Sequence, residues 1–506
     1  MRLSPSLIRW LGAFCIGLSA SSQASTPWVQ AGDLTARHHI EALQSQGCLK
    51  GITLTWPISW AALMKGYRLA LAGQSPDQVS ACKNQHSAYL QQALEQTRQA
   101  STGAQLTIGG ATQEPLYTTF SSQAEDEAIG QIALYSMGEH WAANLAVSYV
   151  EGERDDTHLR FDDTYLAGIV GNWQLGVGAI DRWWGPGWQS SLALSNNARP
   201  VPGLWMSRHM PLAPESPWLS WIGPWDLQVI VGQLENDRAV PRALLLGGRF
   251  VFNPIDSLQI GLTRLAQWGG EGRPQDLDAF WNAVIGRDNG QTSGLKEGED
   301  PSNQIAGFDF RLSLNPGDVP VGVYGQFMGE DEAGGLPSKL SSLAGLDMVT
   351  GLGKGSQRFF LEATETVAGS WISDRRLNTA YEHGTYRSGF RHYGRNMATT
   401  WEGDAQAVTL GLQQYFRNGV TVGLNLSRAT LNQDGTIRAV IAEDGAATLQ
   451  SVEEQDISLA ELRIQHPMLG GRLDWLLSAT DEPVETVFEE RERFTAGIQW
   501  TRPISW

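Results

Sequence analysis

Tryptophan and arginine crowd into one stretch of this chain, Asp181 to Arg208, which reads DRWWGPGWQSSLALSNNARPVPGLWMSR. Trp183, Trp184, Trp188 and Trp205 lie among Arg182, Arg199 and Arg208, and Gly185, Pro186 and Gly187 make a rigid turn between the tryptophans. Indole faces stack on sugar rings, and guanidinium forks bond carboxylates and hydroxyls. Arg182, Trp183, Trp184 and Trp188 are therefore candidates for a polysaccharide platform. The same residues suit an internal plug, with the indoles wedged against glycines of an enclosing wall. Asn196, Asn197 and Arg199, flanking Pro200, can bond glycan hydroxyls or cap irregular backbone. Gly and Pro this dense exclude a regular helix or a long unbroken strand.

A second stretch, YEHGTYRSGFRHYGR from Tyr381 to Arg395, sets Arg387, Arg391, Arg395, His383 and His392 among Tyr381, Tyr386 and Tyr393. In an acidic chain this basic island reads either as a patch for an acidic polysaccharide or as an internal ion-pair network. His38-His39 reads as a solvated helix face, because no partner histidine or cysteine stands near it in sequence; no metal site is expected. No catalytic constellation emerges. Asp162-Asp163 and Glu489-Glu490 are neighbours that point to opposite faces of a strand, and neither G-x-S-x-G nor H-E-x-x-H occurs. Enzymatic activity and cofactors are accordingly not expected. The acidic runs Glu297 to Asp300 and Glu330 to Glu332 read as solvated loops.

The elements that must position these stretches follow from the rest of the chain. Arg2 and Arg9 precede an apolar run from Leu11 to Leu18 and small residues ending at Ala24, a secretory signal over residues 1–24. Phe14 directly before Cys15 argues against a lipid anchor. Beyond the signal only Cys48 and Cys82 remain, a disulfide candidate in an oxidising compartment and a poor zinc set. The formal charge is 37 − 54 = −17, so nucleic acid is excluded as a partner. Residues 25–103 read as a small helical domain. Asp33 caps a helix running to Gly47, Ser59 caps a second, and Ser75, Pro76 and Gln78 open a third with a capping box.

From residue 104 to 506 the period changes to two. Trp141, Ala143, Leu145, Val147 and Tyr149 alternate with small or polar residues, as do Phe308, Phe310 and Leu312, and Val422, Leu424 and Leu426. No apolar run beyond the signal approaches the ~20 residues of a membrane helix. Short turns, such as Gly171-Asn172 and Arg417 to Gly419, alternate with long polar loops at 111–128, 151–160, 268–303, 329–356, 431–454 and 481–491. Alternate short and long connections with one apolar face per strand describe an antiparallel transmembrane β-barrel of about 18 strands. That parity leaves room for one strand between residues 180 and 225, so most of the Trp/Arg stretch is irregular. Phe494, Ala496, Ile498 and Trp500 alternate toward the terminal Ile504-Ser505-Trp506, as in a closing barrel strand.

The chain resembles the capsule assembly Wzi family of outer-membrane proteins. The resemblance rests on Gly32-Asp33 with Arg37 and Ile40, on TWPISW from Thr55 to Trp60, on RWWGPGW from Arg182 to Trp188, on LSNNARP from Leu194 to Pro200, and on Tyr381 to Arg395. It implies an 18-stranded barrel in the bacterial outer membrane with its N-terminal helical bundle in the periplasm. It also implies a non-enzymatic, lectin-like role in holding capsular or other surface polysaccharide at the cell surface. The partners so implied are that polysaccharide and the lipid and lipopolysaccharide of the outer membrane. A diffusion or polysaccharide-export channel is the alternative reading.

Overall fold

The computed structural model describes residues 26–505 except 122–125, 153–156, 276–279, 282–301, 334–335, 352, 354, 370–373, 437–449 and 488. The signal over 1–24 and the acidic run Glu297 to Asp300 lie outside the described residues.

Eighteen antiparallel strands, each paired to its neighbours in chain order, close into a barrel. The first nine are β1 (Thr102–Ala111), β2 (Ala128–Met137), β3 (Trp141–Glu151), β4 (Leu159–Arg160, interrupted, then Tyr165–Val170), β5 (Trp173–Gly178), β6 (Gly203–Arg208), β7 (Trp225–Gln233), β8 (Leu244–Ile255) and β9 (Leu258–Trp268). The rest are β10 (Ser302–Leu314), β11 (Val321–Ala333), β12 (Leu336–Thr350), β13 (Gly355–Glu365), β14 (Gln406–Phe416), β15 (Thr421–Leu431), β16 (Gln455–Met468), β17 (Gly471–Thr480) and β18 (Phe494–Ser505). Closure is made by β18 against β1, from Gly497 opposite Ala111 to Ser505 opposite Gly103.

The alternation has the direction a membrane wall demands. Ile132, Leu145, Leu166, Leu204, Leu410 and Leu426 are exposed on the outside, while Arg249, Asp309, Arg311, Asp347, Arg358 and Glu362 are buried on the inside. Exposed leucines around a whole circumference are stable only against lipid. One end of the barrel carries mostly tight turns, such as Gly171-Asn172 between β4 and β5, where Gly171 takes φ +60°. The exception at that end is 209–224, between β6 and β7, whose 3-10 turn Ser220–Ile222 holds Trp221 exposed beside Trp218. Long connections gather at the other end.

One expected loop was misjudged. Residues 329–356 are not a long loop: β11 runs on to Ala333, β12 returns over Leu336–Thr350, and β13 begins at Gly355. Alternation is blurred in β12 because its buried face mixes Ser341, Leu343, Asp347 and Val349 while Leu346 and Met348 face out. The irregular reading of the Trp/Arg stretch holds, with the single barrel strand β6 in it.

Among the described residues four helices precede the wall: α1 (Leu34–Ser45), α2 (Trp60–Ala72), α3 (Pro76–Ala81) and α4 (Gln85–Gln99). Asp33 caps α1 by accepting from Ala36 N at 2.9 Å, and Ser75 with Gln78 completes a reciprocal capping box on α3. Ser59 precedes α2 but makes no cap bond to it. Cys48 and Cys82 form a disulfide across a separation of 34 residues. By loop entropy it contributes about 3–4 kcal/mol. Every residue of α1 except Thr35 is buried, because α1 enters the lumen from the short-turn end.

That placement overturns the solvated reading of His38-His39. Both rings are buried, His38 stacked on Tyr415 of the wall at 3.9 Å and His39 on Tyr89 of α4 at 4.3 Å.

Candidate functional site

Both stretches singled out by their Trp/Arg/Tyr content fold into the lumen and meet there. After β5 the chain leaves the wall, runs inward over 179–202, and returns to it at β6. Trp183 and Trp184 pair antiparallel with Trp56 and Thr55 of the N-terminal segment, so the inward turn and the TWPISW string are one small sheet. Trp183 meets Phe120 edge-on at 5.3 Å. The turn that follows demands glycine: a Cβ on Gly187 would stand 2.1 Å from Ser190 O.

The wall supplies what the irregular backbone lacks. Glu362 of β13 accepts from Trp188 N at 2.7 Å and from Ser190 N at 2.8 Å, and from the Tyr324 hydroxyl at 3.0 Å. Gln326 of β11 accepts from Leu192 N at 2.8 Å and donates to Trp184 O at 2.9 Å. These side chains replace the ladder bonds that a strand would have made. From below, Arg37 of α1 donates to Gly187 O at 2.8 Å, to Pro186 O at 2.6 Å and to Glu41 at 2.8 Å. The guanidinium groups of Arg37 and Arg358 both stand over the Trp188 ring, at 4.2 Å and 4.3 Å from its centre. Glu41 also pairs with Arg311 at 3.1 Å and Arg358 at 3.3 Å, and both arginines pair with Asp347. Helix, turn and wall thus share one buried charge network.

The second stretch sits between β13 and β14, above the first. Arg391 pairs with Glu382 at 2.7 Å and with Glu402 at 2.8 Å. Burial alone would depress its guanidinium; the two carboxylates outweigh that and push it up. His392 contacts Glu235 at 2.6 Å, and Arg238 holds the same carboxylate at 3.2 Å. Burial alone would raise Glu235; Arg238 and His392 outweigh it and hold the carboxyl down at about 2. Arg395 donates to Asn197 O at 3.2 Å, the Tyr381 hydroxyl donates to Leu192 O at 3.2 Å, and Ser195 N donates to Met397 O at 2.9 Å.

The expected site residues therefore separate by exposure. Trp183, Trp184, Trp188 and Arg391 are buried, as are Asn196, which donates to Phe120 O, and Asn197, which donates to Asn396 O and Thr399 O. Arg199 is part-buried, pairing with Asp162 at 2.8 Å under the Tyr393 ring, and Arg182 is part-buried near Trp205. Arg387 stands exposed at the long-loop end, where Arg242, Arg375 and Arg376 are exposed as well. The loop bearing Arg242 is tied to the loop bearing Arg387 by a bond from Ala239 N to Ser388 Oγ at 2.8 Å. Sequence reading missed Glu362, Gln326 and Glu235. Glu362 had a signal: a carboxylate on a strand whose neighbours Phe360 and Leu361 are apolar is an acceptor for something inside.

Comparison with known proteins places this architecture. A family model described as capsule assembly protein Wzi matches residues 97–496. A 55.8 kDa protein of the cps region of Klebsiella pneumoniae is 36% identical over 360 residues, 70% of this chain and 69% of that one. The solved structure of Wzi from Escherichia coli, an outer-membrane protein involved in group 1 capsule assembly and a carbohydrate-binding β-barrel, superimposes with a TM-score of 0.80 at 27% identity. The match covers 95% of this chain and 100% of that one.

Proposed function

The chain belongs to the capsule assembly protein Wzi family, and from that premise we propose that it is an outer-membrane lectin that holds capsular polysaccharide at the cell surface. It acts by binding and catalyses nothing. The short-turn end and helices α2, α3 and α4 face the periplasm, α1 reaches from there into the lumen, and the long-loop end faces the medium. The observation that carries this reading is the interlocking of helix, inward turn and second stretch, which fills the lumen and leaves recognition to the outer rim. Burial of Trp183, Trp184 and Trp188 supports a plug role for them. Polymer contact then falls to the exposed rim arginines, Arg376 and Arg387 with Arg242 and Arg375, the last two standing 3.6 Å from Glu271 and Glu365; guanidinium charge suits an acidic polysaccharide. Lipid and lipopolysaccharide contact the outward leucines of the wall.

A channel would require the plug to leave, and departure would break the bonds from Arg37 to Pro186 O and Gly187 O and those from Trp188 N and Ser190 N to Glu362. The test is deletion of the gene followed by separate assay of cell-attached and released polysaccharide. Unchanged synthesis with polymer shed to the medium is expected; equal attachment in mutant and parent overturns the reading.

A further inference from the structure

We propose that His38, His39 and His86 together bind one divalent cation of the zinc class. The three rings come from two helices, His38 and His39 from α1 and His86 from the start of α4, 47 residues after His39. All three are buried, and one donor nitrogen from each lies within 4.8 Å of the others. The Nδ1 atoms of His39 and His86 are 2.8 Å apart. Two imidazole ligands on a tetrahedral zinc stand about 3.3 Å apart, given Zn–N bonds of about 2.0–2.1 Å. The cluster spans that separation, so small ring rotations bring three nitrogens onto one point.

The surroundings prepare imidazole for ligation. Burial keeps bulk water away from all three rings. Outer partners fix their orientation, as ligand histidines require. His38 stacks on Tyr415, bonds Ser356 Oγ through Nε2 at 2.9 Å and accepts from Arg358 Nε through Nδ1 at 3.4 Å, the bond that an ion on Nδ1 would displace, while His39 stacks on Tyr89. The nearest cation, Arg358, is compensated by Glu41 and Asp347, so the field it presents to an incoming ion is reduced. Three imidazole nitrogens leave a fourth position for water, and the donor set favours zinc-class metals over calcium or magnesium. An ion here would tie α1 to α4, and through His38 to the wall at Ser356.

The test uses the untagged full-length chain in detergent, stripped with chelator and titrated with Co2+. About one Co2+ per chain is expected, with a visible absorption band of nitrogen-ligated, low-coordinate cobalt. His39→Gln with His86→Gln should abolish the band while the barrel keeps its folded, heat-sensitive mobility on gels. Uptake no greater than that of the folded double variant overturns the proposal and leaves an imidazole pair sharing a proton. Should the double variant fail to fold, Cu2+ bound by the native chain is read for nitrogen hyperfine coupling. Coupling from three imidazole nitrogens supports the site; its absence sinks it.

Discussion

The two inward segments are held by opposite means. The turn over 179–202 is almost neutral where it is deepest, and the wall reaches in to bond its backbone through Glu362 and Gln326. The segment over 374–405 brings its own arginines and holds them with acids from loops, Glu382, Glu402 and Glu235. The first arrangement spends the hydrogen bonds of its buried backbone on fixing position. The second spends its charge inward at Arg391 and still leaves Arg387 outside. Charge density in a sequence is therefore a poor guide to a binding surface when the polar side of the wall is the inside.

The contrast breaks most readily at Glu362. Replacing it with alanine leaves the amides of Trp188 and Ser190 and the Tyr324 hydroxyl buried without their acceptor. A loss on the order of 3–5 kcal/mol is expected, read as a lowered unfolding temperature in detergent, with Glu362→Gln recovering part of it. Acid should act on the other segment. Glu235, held at about 2 in the fold, has a depressed pKa. Its contribution is complete above the unfolded value of about 4.3 and disappears as pH falls toward about 2. The segment over 374–405 should then open to protease between those values, worth on the order of 2–3 kcal/mol, and Glu235→Gln should flatten that acid limb. The smallest structural effect belongs to the rim. Arg387→Glu should change stability by about 0.5 kcal/mol or less while weakening retention of an acidic polysaccharide several-fold, more at low salt than at high. Equal weakening by Arg391→Lys with the fold intact would erase the distinction drawn between the two regions.

Much of the wall was legible because lipid and lumen impose opposite polarity on successive residues, as along Trp141–Glu151, where Trp141, Leu145 and Tyr149 face out. The strand Leu336–Thr350 was not, since its buried face carries Leu343 and Val349 beside Ser341 and Asp347. The helix Leu34–Ser45 misled for a related reason. Its polar face, with Arg37, His38 and Glu41, looks like a solvated one, yet it is buried against Arg311 and Arg358. Polarity reports water only where the neighbour is water. The candidate stretches were recognisable as irregular and special, and both the plug and the platform fitted their composition. What composition could not supply was Glu362, Gln326 and Glu402, residues distant in sequence whose partners appear only when the strands are in register.

The clasp between Cys48 and Cys82 joins the end of the enclosed helix, α1, to the end of α3, which stays outside the wall. Of the helical segment only α1 is swallowed; α2, α3 and α4 leave most of their residues unburied below the ring. The bridge is therefore a mooring line across the lower rim, with one end tied inside the hull and the other on the quay.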